Sequence, residues 1–258
     1  MPHDAHAHAH VAAPEAARAG RVHSWDVSTG VDGPGTRLVV FLAGCPLRCL
    51  YCQNPDTWHM RDGRHRTVAD IERRMRRYAR FVTTAGGGVT VSGGEPLLQP
   101  AFTRDVFEAA RRLGLHTALD TSGFLGARPD DRLLAATDLA LLDIKAGSED
   151  TCLRLTGGAL APALAFADRL AQQRTPVWVR YVLVPGWTDA PDEVEAVADR
   201  CAALANVERV DVLPFHQLGR SKYERLGLPF ALADTPAPTR DQVAAARAVF
   251  AARGFVVS

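Results

Sequence analysis

Three cysteines lie close together in the first quarter of this chain. Cys45, Cys49 and Cys52 have the spacing C-x3-C-x2-C, which places three thiolates on one short loop. A 4Fe-4S cubane is usually held by four thiolates, so three ligands would leave one iron open. An open coordination position is typical of catalytic metal sites rather than structural ones. The spacing therefore predicts a 4Fe-4S cluster that binds a substrate or cofactor directly.

The two remaining cysteines, Cys152 and Cys201, allow other readings of the same motif. Either could complete a structural zinc site, although zinc sites usually pair their cysteines in C-x2-4-C units. Disulfides are the other alternative. They are disfavoured because five cysteines are an odd number and no signal peptide is visible. Both isolated cysteines lie in segments whose pattern indicates helices.

Further motifs accompany the cysteines in a fixed order. One precedes them and five follow: Ser28–Arg37, Ser92–Pro96, Leu119–Gly123, Leu142–Lys145, Val179–Trp187 and Leu213–Gly219. With these motifs the chain resembles the pyruvate formate-lyase activating enzymes of the radical S-adenosylmethionine (radical SAM) superfamily. The similarity covers about residues 20 to 226, and more weakly the C-terminus.

The resemblance implies ligands for each cofactor. Cys45, Cys49 and Cys52 would hold one 4Fe-4S cluster. Asp120 and Thr121 match positions that help to hold the cofactor and a monovalent cation beside it. Many family members carry His where this chain has Gln53, a change that main-chain contacts tolerate. The residues that would bind S-adenosylmethionine are Tyr51, Cys52, Gln53, Gly93, Gly94, Glu95, Asp120, Thr121, Asp143, Ile144, Lys145, Arg180 and His216.

Some of these residues also suggest a role by their own chemistry. Asp143 and Lys145 stand two positions apart among apolar neighbours, so a strand would place both on one face. Buried charges must pair with each other or with a ligand, whereas a solvated salt bridge at the strand end is the alternative. Arg180 is expected to end a strand rich in Val and Trp, as a partner for a carboxylate.

The resemblance also implies a reaction. The reduced cluster would donate one electron to S-adenosylmethionine, and the 5′-deoxyadenosyl radical would take a hydrogen from a backbone glycine of pyruvate formate-lyase. The expected reductant is a flavodoxin or ferredoxin. No cysteine occurs from Gln53 through Thr151, so the ferredoxin-like insert of some other activases is missing.

Three alternatives remain open at this point. The chain could activate another glycyl radical enzyme, or it could be a radical SAM enzyme that acts on a small molecule. From a different class, it could be an iron–sulfur electron carrier or a structural metal protein. A reconstituted cluster that binds S-adenosylmethionine tightly would exclude this last class.

Composition sets broader limits. The 258 residues are 47% apolar and 23% charged, as in soluble globular proteins, and the net charge of +1 gives no basic field for nucleic acid. No apolar run reaches the length of a membrane span, so no membrane partner is expected. The N-terminus lacks the features of a signal peptide, which indicates a cytoplasmic protein. We expect residues 1–20 to form a disordered His- and Ala-rich tail and residues 21–258 to form a single domain.

Short apolar runs alternate with longer helical patterns along the chain. This alternation predicts βαβ units and a parallel sheet. Six units fit an α/β fold with an incomplete, TIM-like (β/α)6 barrel of the radical SAM type, which the resemblance also implies. The predicted strands are Thr36–Leu42, Gly88–Ser92, His116–Asp120, Leu139–Ile144, Val177–Val184 and Arg209–Leu213. The predicted helices are Val68–Phe81, Ala101–Leu113, Asp131–Ala136, Ala161–Gln173, Pro191–Leu204 and Arg240–Ala252.

These elements position the chemistry. The cysteines follow the first predicted strand, Gly93 follows the second, Thr121 the third, Lys145 the fourth and His216 the last. The active sites of α/β barrels form at the C-terminal ends of the strands. The sequence thus predicts that all candidate groups meet at one end of the barrel.

Overall fold

Nine strands form one mixed sheet in the computed structural model, which describes residues 18–258. The strands are β1 Ala19–Thr29, β2 Thr36–Leu42, β3 Arg64–Thr67, β4 Gly88–Gly93, β5 His116–Thr121, β6 Leu139–Asp143, β7 Val177–Leu183, β8 Val207–Pro214 and β9 Val256–Val257. Their spatial order is β3-β1-β2-β4-β5-β6-β7-β8-β9. The α/β fold of the sequence prediction is confirmed.

Six of these strands, β2 and β4 to β8, run parallel to one another and match the six predicted strands. Parallel strands covered by helices are buried on both faces, which explains their near-continuous apolar runs. One fully buried residue from each strand illustrates this: Val39, Val91, Leu119, Leu142, Val179 and Val210.

Eight α-helices accompany the sheet within residues 18–258. They are α1 Val68–Thr84, α2 Pro100–Arg112, α3 Asp131–Ala135, α4 Glu149–Thr156, α5 Ala161–Gln172, α6 Pro191–Ala202, α7 Arg220–Leu226 and α8 Arg240–Ala251. Helix α1 begins with a capping box, in which Thr67 and Asp70 each accept the other's main-chain N–H. Helix α6 begins with Pro191, as the sequence predicts.

Five elements were not among the predicted strands and helices: β1, β3, β9, α4 and α7. The segment around Cys152, which lies in α4, was expected to be helical but was given no bounds. Strand β1 pairs antiparallel with β2 and β3, so the sheet extends beyond the parallel strands at this edge. It begins at Ala19, and the predicted tail to residue 20 was therefore wrong by two residues at its end. The remainder of that predicted tail, residues 1–17, lies outside the described part of the chain.

The parallel strands do not close on themselves. Strand β2 is bordered on its outer side by β1, and β8 by β9, so β2 and β8 are not paired with each other. This is the incomplete barrel that the sequence predicts, with an open seam between the first and last parallel strands. Within residues 18–258, none of the helices combines the length and apolar character needed to cross a bilayer.

Candidate active site

The loop that carries the three cysteines follows β2 and is fixed from two sides. On one side, the N–H of Cys45 donates to the carbonyl oxygen of Trp58 at 3.0 Å. On the other side, the N–H of Leu50 donates to the carbonyl oxygen of Leu155, in α4, at 2.9 Å. Helix α4, of which the sequence predicted only that Cys152 lies in a helical segment, therefore forms one wall of this cluster loop.

Burial opposes ionisation of all three cysteine thiols. It raises the pKa of Cys45 and of Cys49 to about 12, and it also raises the pKa of Cys52. Four groups lower the pKa of Cys52 against this burial: the main-chain N–H of Asn54, which donates to its Sγ at 3.4 Å, then the side chain of Trp58 and the charges of Lys145 and Lys222. Buried thiolates need positive charge nearby, which bound iron would supply, and N–H donors to ligand sulfurs tune iron–sulfur centres.

The donor set fits a cluster rather than a single metal ion. Among residues 18–258, no three His, Cys, Asp or Glu side chains converge on a position that could hold one ion. The four thiolates that usually hold a cubane bind separate irons, so the ligand sulfurs surround the cluster instead of meeting at one point. All five cysteines are free thiols, and the other two are buried in α4 and α6. The side chains of those two cysteines pack in the hydrophobic core, as inert structural cysteines do.

The segment Gly93–Glu95 packs directly against the cluster loop. Gly93 ends β4 with φ +110°, a conformation that favours glycine. A Cβ on Gly94 would lie 2.3 Å from the main-chain oxygen of Gly44, and the N–H of Glu95 donates to that same oxygen at 2.8 Å. The two glycines therefore permit a close approach between this strand end and the cluster loop.

The carboxylate of Glu95 is buried and engaged by its own chain. It accepts from the hydroxyl of Thr121 at 2.6 Å, from the N–H of Ser122 at 3.0 Å and from the N–H of Leu97 at 3.0 Å. Burial raises its pKa, while these hydrogen bonds lower it. The structure thus brings the predicted site residues Glu95 and Thr121 together by a direct bond, which ties the end of β4 to the end of β5.

A second polar chain crosses the barrel interior from β4 to β7. The hydroxyl of Ser92 donates to Asp120 at 2.6 Å, and Nη1 of Arg180 donates to Asp120 at 2.9 Å. Nη2 of Arg180 donates to the carbonyl oxygen of Val31 at 3.2 Å. The charge of Asp120 is the main cause of the raised pKa of Arg180, and burial opposes it. The prediction that Arg180 ends its strand was wrong: it lies in the middle of β7, where it pairs with Asp120.

Asp143 and Lys145 form the ion pair that their spacing indicates. Nζ of Lys145 lies 2.7 Å from Oδ2 of Asp143, and the two side chains are only 14% and 20% exposed, so the solvated alternative does not hold. The ammonium also lies 5.6 Å from the ring centre of Tyr51. Burial lowers the pKa of Lys145, but Asp143, Tyr51 and Cys49 outweigh it and keep the pKa well above its ordinary value. Ile144, between the paired residues, is fully buried.

Gln53 and His216 meet at the seam of the barrel. Nε2 of Gln53 donates to the carbonyl oxygens of Tyr51 and His216, at 3.0 and 3.1 Å. The His216 side chain is exposed, and its Nδ1 accepts from the N–H of Leu218 at 3.4 Å. Oη of Tyr51 and Oε1 of Gln53 are buried without a hydrogen-bond partner among the residues described. Unpaired polar atoms beside the cluster loop fit a site that is completed by a polar ligand.

Comparison with known proteins identifies the family to which this chain belongs. Residues 39–201 match the Radical SAM superfamily model. The chain is 39% identical over 241 residues to the pyruvate formate-lyase 1-activating enzyme of Escherichia coli strain K12, which covers 92% of this chain and 98% of that protein. The chain belongs to the pyruvate formate-lyase-activating enzyme family of the radical SAM superfamily. The activating enzyme of Staphylococcus aureus strain USA300 is 43% identical over 234 residues, covering 88% of this chain and 93% of that one.

Solved structures agree on the fold of this radical SAM enzyme. A domain of a pyruvate-formate lyase-activating enzyme from Bacteroides vulgatus superposes with a TM-score of 0.55 over 67% of this chain and 98% of that chain, at 22% identity. Streptococcus suis SuiB bound to its precursor peptide superposes with a TM-score of 0.65 over 88% of this chain and 49% of that one, at 15% identity. At these identities the likeness concerns the fold alone.

Membership of the superfamily establishes the cofactors. Radical SAM enzymes use a 4Fe-4S cluster and S-adenosylmethionine, and this enzyme does so as well. Most of the predicted groups lie at or after the C-terminal ends of the parallel strands. Gly93, Thr121 and Asp143 are the last residues of β4, β5 and β6, and the cysteines and His216 follow β2 and β8.

The sequence analysis missed several residues that support this site. Ser92 and Ser122 bond to the carboxylates of Asp120 and Glu95, and both stand next to a predicted residue. The alternation of strand side chains could have assigned Ser92 to the inward face. Lys222 and Tyr223, in α7, contact the cluster loop from a distant part of the sequence, and no local pattern signals that contact.

Proposed function

We propose that this radical SAM enzyme activates pyruvate formate-lyase by removing a hydrogen atom from one backbone glycine of that protein. The observation that carries the proposal is the 39% identity to the Escherichia coli activating enzyme across 98% of its length. The polar ends of the parallel strands around the cluster loop support it, because they supply a site for both cofactors. We therefore propose pyruvate formate-lyase as the protein substrate.

The residues of the site divide into two groups by their proposed roles. Cys45, Cys49 and Cys52 would hold the cluster and leave one iron without a cysteine ligand. The polar residues at the strand ends would bind S-adenosylmethionine, with the ammonium of Lys145 available to a carboxylate because Asp143 keeps it charged. Asp120 and Thr121 would provide oxygen ligands for a monovalent cation. When bound, the two cofactors supply the one-electron chemistry that removes the hydrogen atom.

The protein's own part is to orient the reactants and to exclude water. The buried polar networks of Glu95 and Asp120 fix the strand ends, so the cofactor site is organised before the substrate arrives. The glycine of the partner would enter from the C-terminal face of the barrel, where most of the candidate groups lie. Glycine suits this chemistry because it has no side chain to shield its α-carbon.

We further propose that a flavodoxin or ferredoxin supplies the electron. The cluster needs a one-electron donor of low potential, and ferredoxins work in that range. We place the reaction in the cytoplasm, where thiols stay reduced, because all five cysteines are free thiols.

The proposal is tested by following the hydrogen. Reconstituted enzyme, reductant and S-adenosylmethionine are mixed anaerobically with pyruvate formate-lyase that carries deuterium at glycine Cα. We expect deuterium in 5′-deoxyadenosine, and none when the target glycine of the partner is replaced by alanine. Cofactor cleavage without deuterium transfer would contradict the proposal. Transfer from a different glycyl radical enzyme alone, or from a small molecule, would assign the enzyme to that substrate instead.

A further inference from the structure

Helix α7 lies across the open seam of the barrel, from the end of β8 to the cluster loop after β2. Its flanking residue Gly219 touches Gln53, since a Cβ on Gly219 would lie 2.8 Å from Oε1 of Gln53 and 3.1 Å from its Cα. Strands β2 and β8 share no hydrogen bonds. Contacts made by α7 therefore join the two sides of the barrel at the position of the cluster.

The first of these contacts is made by Lys222. Its Nζ lies 2.8 Å from Oδ1 of Asn54 and 3.2 Å from Oδ1 of Asp56, just after the last cysteine. The side chains of Lys222 and Asp56 are 29% and 27% exposed. The lysine ammonium is a compact charge with three donors, so it can bond to two oxygens at once.

The composition of the chain makes this lysine unusual. The sequence has 28 arginines and only two lysines, Lys145 and Lys222. One lysine is paired with Asp143 at the proposed cofactor site, and the other binds the cluster loop. The only two lysines of the chain thus both lie at the site described above.

The second contact is made by Tyr223, whose side chain is 3% exposed. Its hydroxyl donates to the carbonyl oxygen of Cys52 at 3.1 Å. The N–H of Cys52 donates to the carbonyl oxygen of Cys49 at 3.1 Å, so both main-chain polar groups of Cys52 are bonded. The ring of Tyr223 meets that of Trp58 edge-on at 5.8 Å and that of Phe230 at 5.0 Å, which fixes its orientation.

We propose that Lys222 and Tyr223 are positioning residues for the third cluster ligand. They hold the main chain at Cys52 and the turn at Asn54–Asp56, so that the Cys52 thiolate keeps one position relative to the other two. Groups that orient metal ligands typically change metal affinity or activity 10- to 100-fold when they are removed. The inference rests on the cluster of the superfamily and not on the identity of the protein substrate.

The test uses the reconstituted full-length enzyme without any protein substrate. Tyr223→Phe removes only the hydroxyl, and Lys222→Met removes the ammonium, with its charge and its N–H donors, from a side chain of similar length. We expect each variant to release iron to a chelator about ten-fold faster than the wild type. We also expect the electron paramagnetic resonance (EPR) spectrum of the reduced cluster to shift or broaden, which a merely structural role would not cause. The melting temperature of the iron-free protein should change little.

Two controls make the test specific. Arg220→Met alters the same helix but removes an exposed pair with Glu224, and it should leave iron release and the EPR spectrum unchanged. Asp56→Asn combined with Lys222→Met should release iron little faster than Lys222→Met alone, because the Lys222–Asp56 pair is already lost and Asp56 keeps only its 3.6 Å contact with His23. If Tyr223→Phe and Lys222→Met both keep the wild-type release rate and spectrum, the proposal is wrong. It is equally wrong if Arg220→Met has the same effect.

Discussion

At the scale of single residues, the cysteines make the clearest prediction. Replacing Cys45, Cys49 or Cys52 by Ala should abolish the cluster, because no other thiol is placed to substitute. Replacing Cys152 and Cys201 together should leave the cluster intact, since both are buried in the core away from this loop. Iron and sulfide analysis after anaerobic reconstitution measures both outcomes. Loss of iron in the double variant would mean a different ligand set.

Glu95 makes a prediction about stability. Its carboxylate accepts hydrogen bonds from Thr121, Ser122 and Leu97 in a fully buried position. Glu95→Gln places an NH2 group where donors already point, so we expect a loss of about 2 kcal/mol or more in the free energy of unfolding. Urea denaturation of the iron-free protein measures this. The matched control is Glu108→Gln, whose partner Arg132 is 68% exposed and which should cost less than about 1 kcal/mol.

Lys145 makes a prediction about cofactor binding. Lys145→Met removes the ammonium and leaves Asp143 unpaired at a largely buried position. We expect normal iron content but S-adenosylmethionine affinity that is weaker by roughly 1–3 kcal/mol, as for other lost contacts to charged groups. Isothermal titration of the reconstituted enzyme measures the affinity. Unchanged binding would place the cofactor elsewhere.

At the scale of the elements, the start of α1 gives a pH-dependent prediction. Hydrogen bonds from Thr67 lower the pKa of Asp70 below its ordinary 3.8. Because the pKa of Asp70 is lower in the folded protein than in the unfolded chain, its ionised carboxylate stabilises the fold at pH values above 3.8. This stabilisation disappears as the pH falls through the folded-state pKa. Asp70→Asn should therefore be less stable than the wild type at neutral pH, and the difference should be smaller at an acidic pH below 3.8.

Urea titrations of the iron-free protein at both pH values measure this difference. Asp150→Asn, at an exposed pair in α4, is the control and should show a smaller effect at neutral pH. A difference between wild type and Asp70→Asn that is independent of pH would show that the charge of Asp70 does not stabilise the cap.

Most elements could be predicted because their signals are local. The parallel strands are buried on both faces and read as apolar runs, and α1 carries its own capping box. Strand β1 was missed because its half-exposed sequence lacks a continuous apolar run and depends on pairing with β2. Helices α4 and α7 have eight and seven residues, too few for a clear period, and packing against the cluster loop accounts for their place.

The candidate site could be predicted in part for the same reason. The cysteine spacing and the positions after strand ends are visible in the sequence. The sequence does not reveal which groups pair with each charged side chain, because those pairs form between distant segments. Arg180 pairs with Asp120 across 60 residues, and Tyr223 reaches Cys52 across 171. Sequence alone indicated the chemistry at this end of the barrel, whereas the structure shows which groups are already bound to one another.

At the scale of the whole molecule, the proposed reaction involves two proteins. If remote contacts with a large partner help to position the glycine, a short peptide with the same glycine loop should react more slowly than folded pyruvate formate-lyase. Rates of 5′-deoxyadenosine formation with peptide and protein, at equal concentration, measure this difference. Equal rates would mean that recognition is confined to the glycine loop itself.

The proposed activity makes a glycyl radical on pyruvate formate-lyase. The most direct measurement is EPR of the partner after anaerobic incubation with reduced enzyme and S-adenosylmethionine. We predict a persistent protein radical whose signal is split into a doublet by the one α-hydrogen that glycine keeps. The doublet should collapse when glycine Cα carries deuterium. Cleavage of S-adenosylmethionine with no protein radical in the partner would contradict the account.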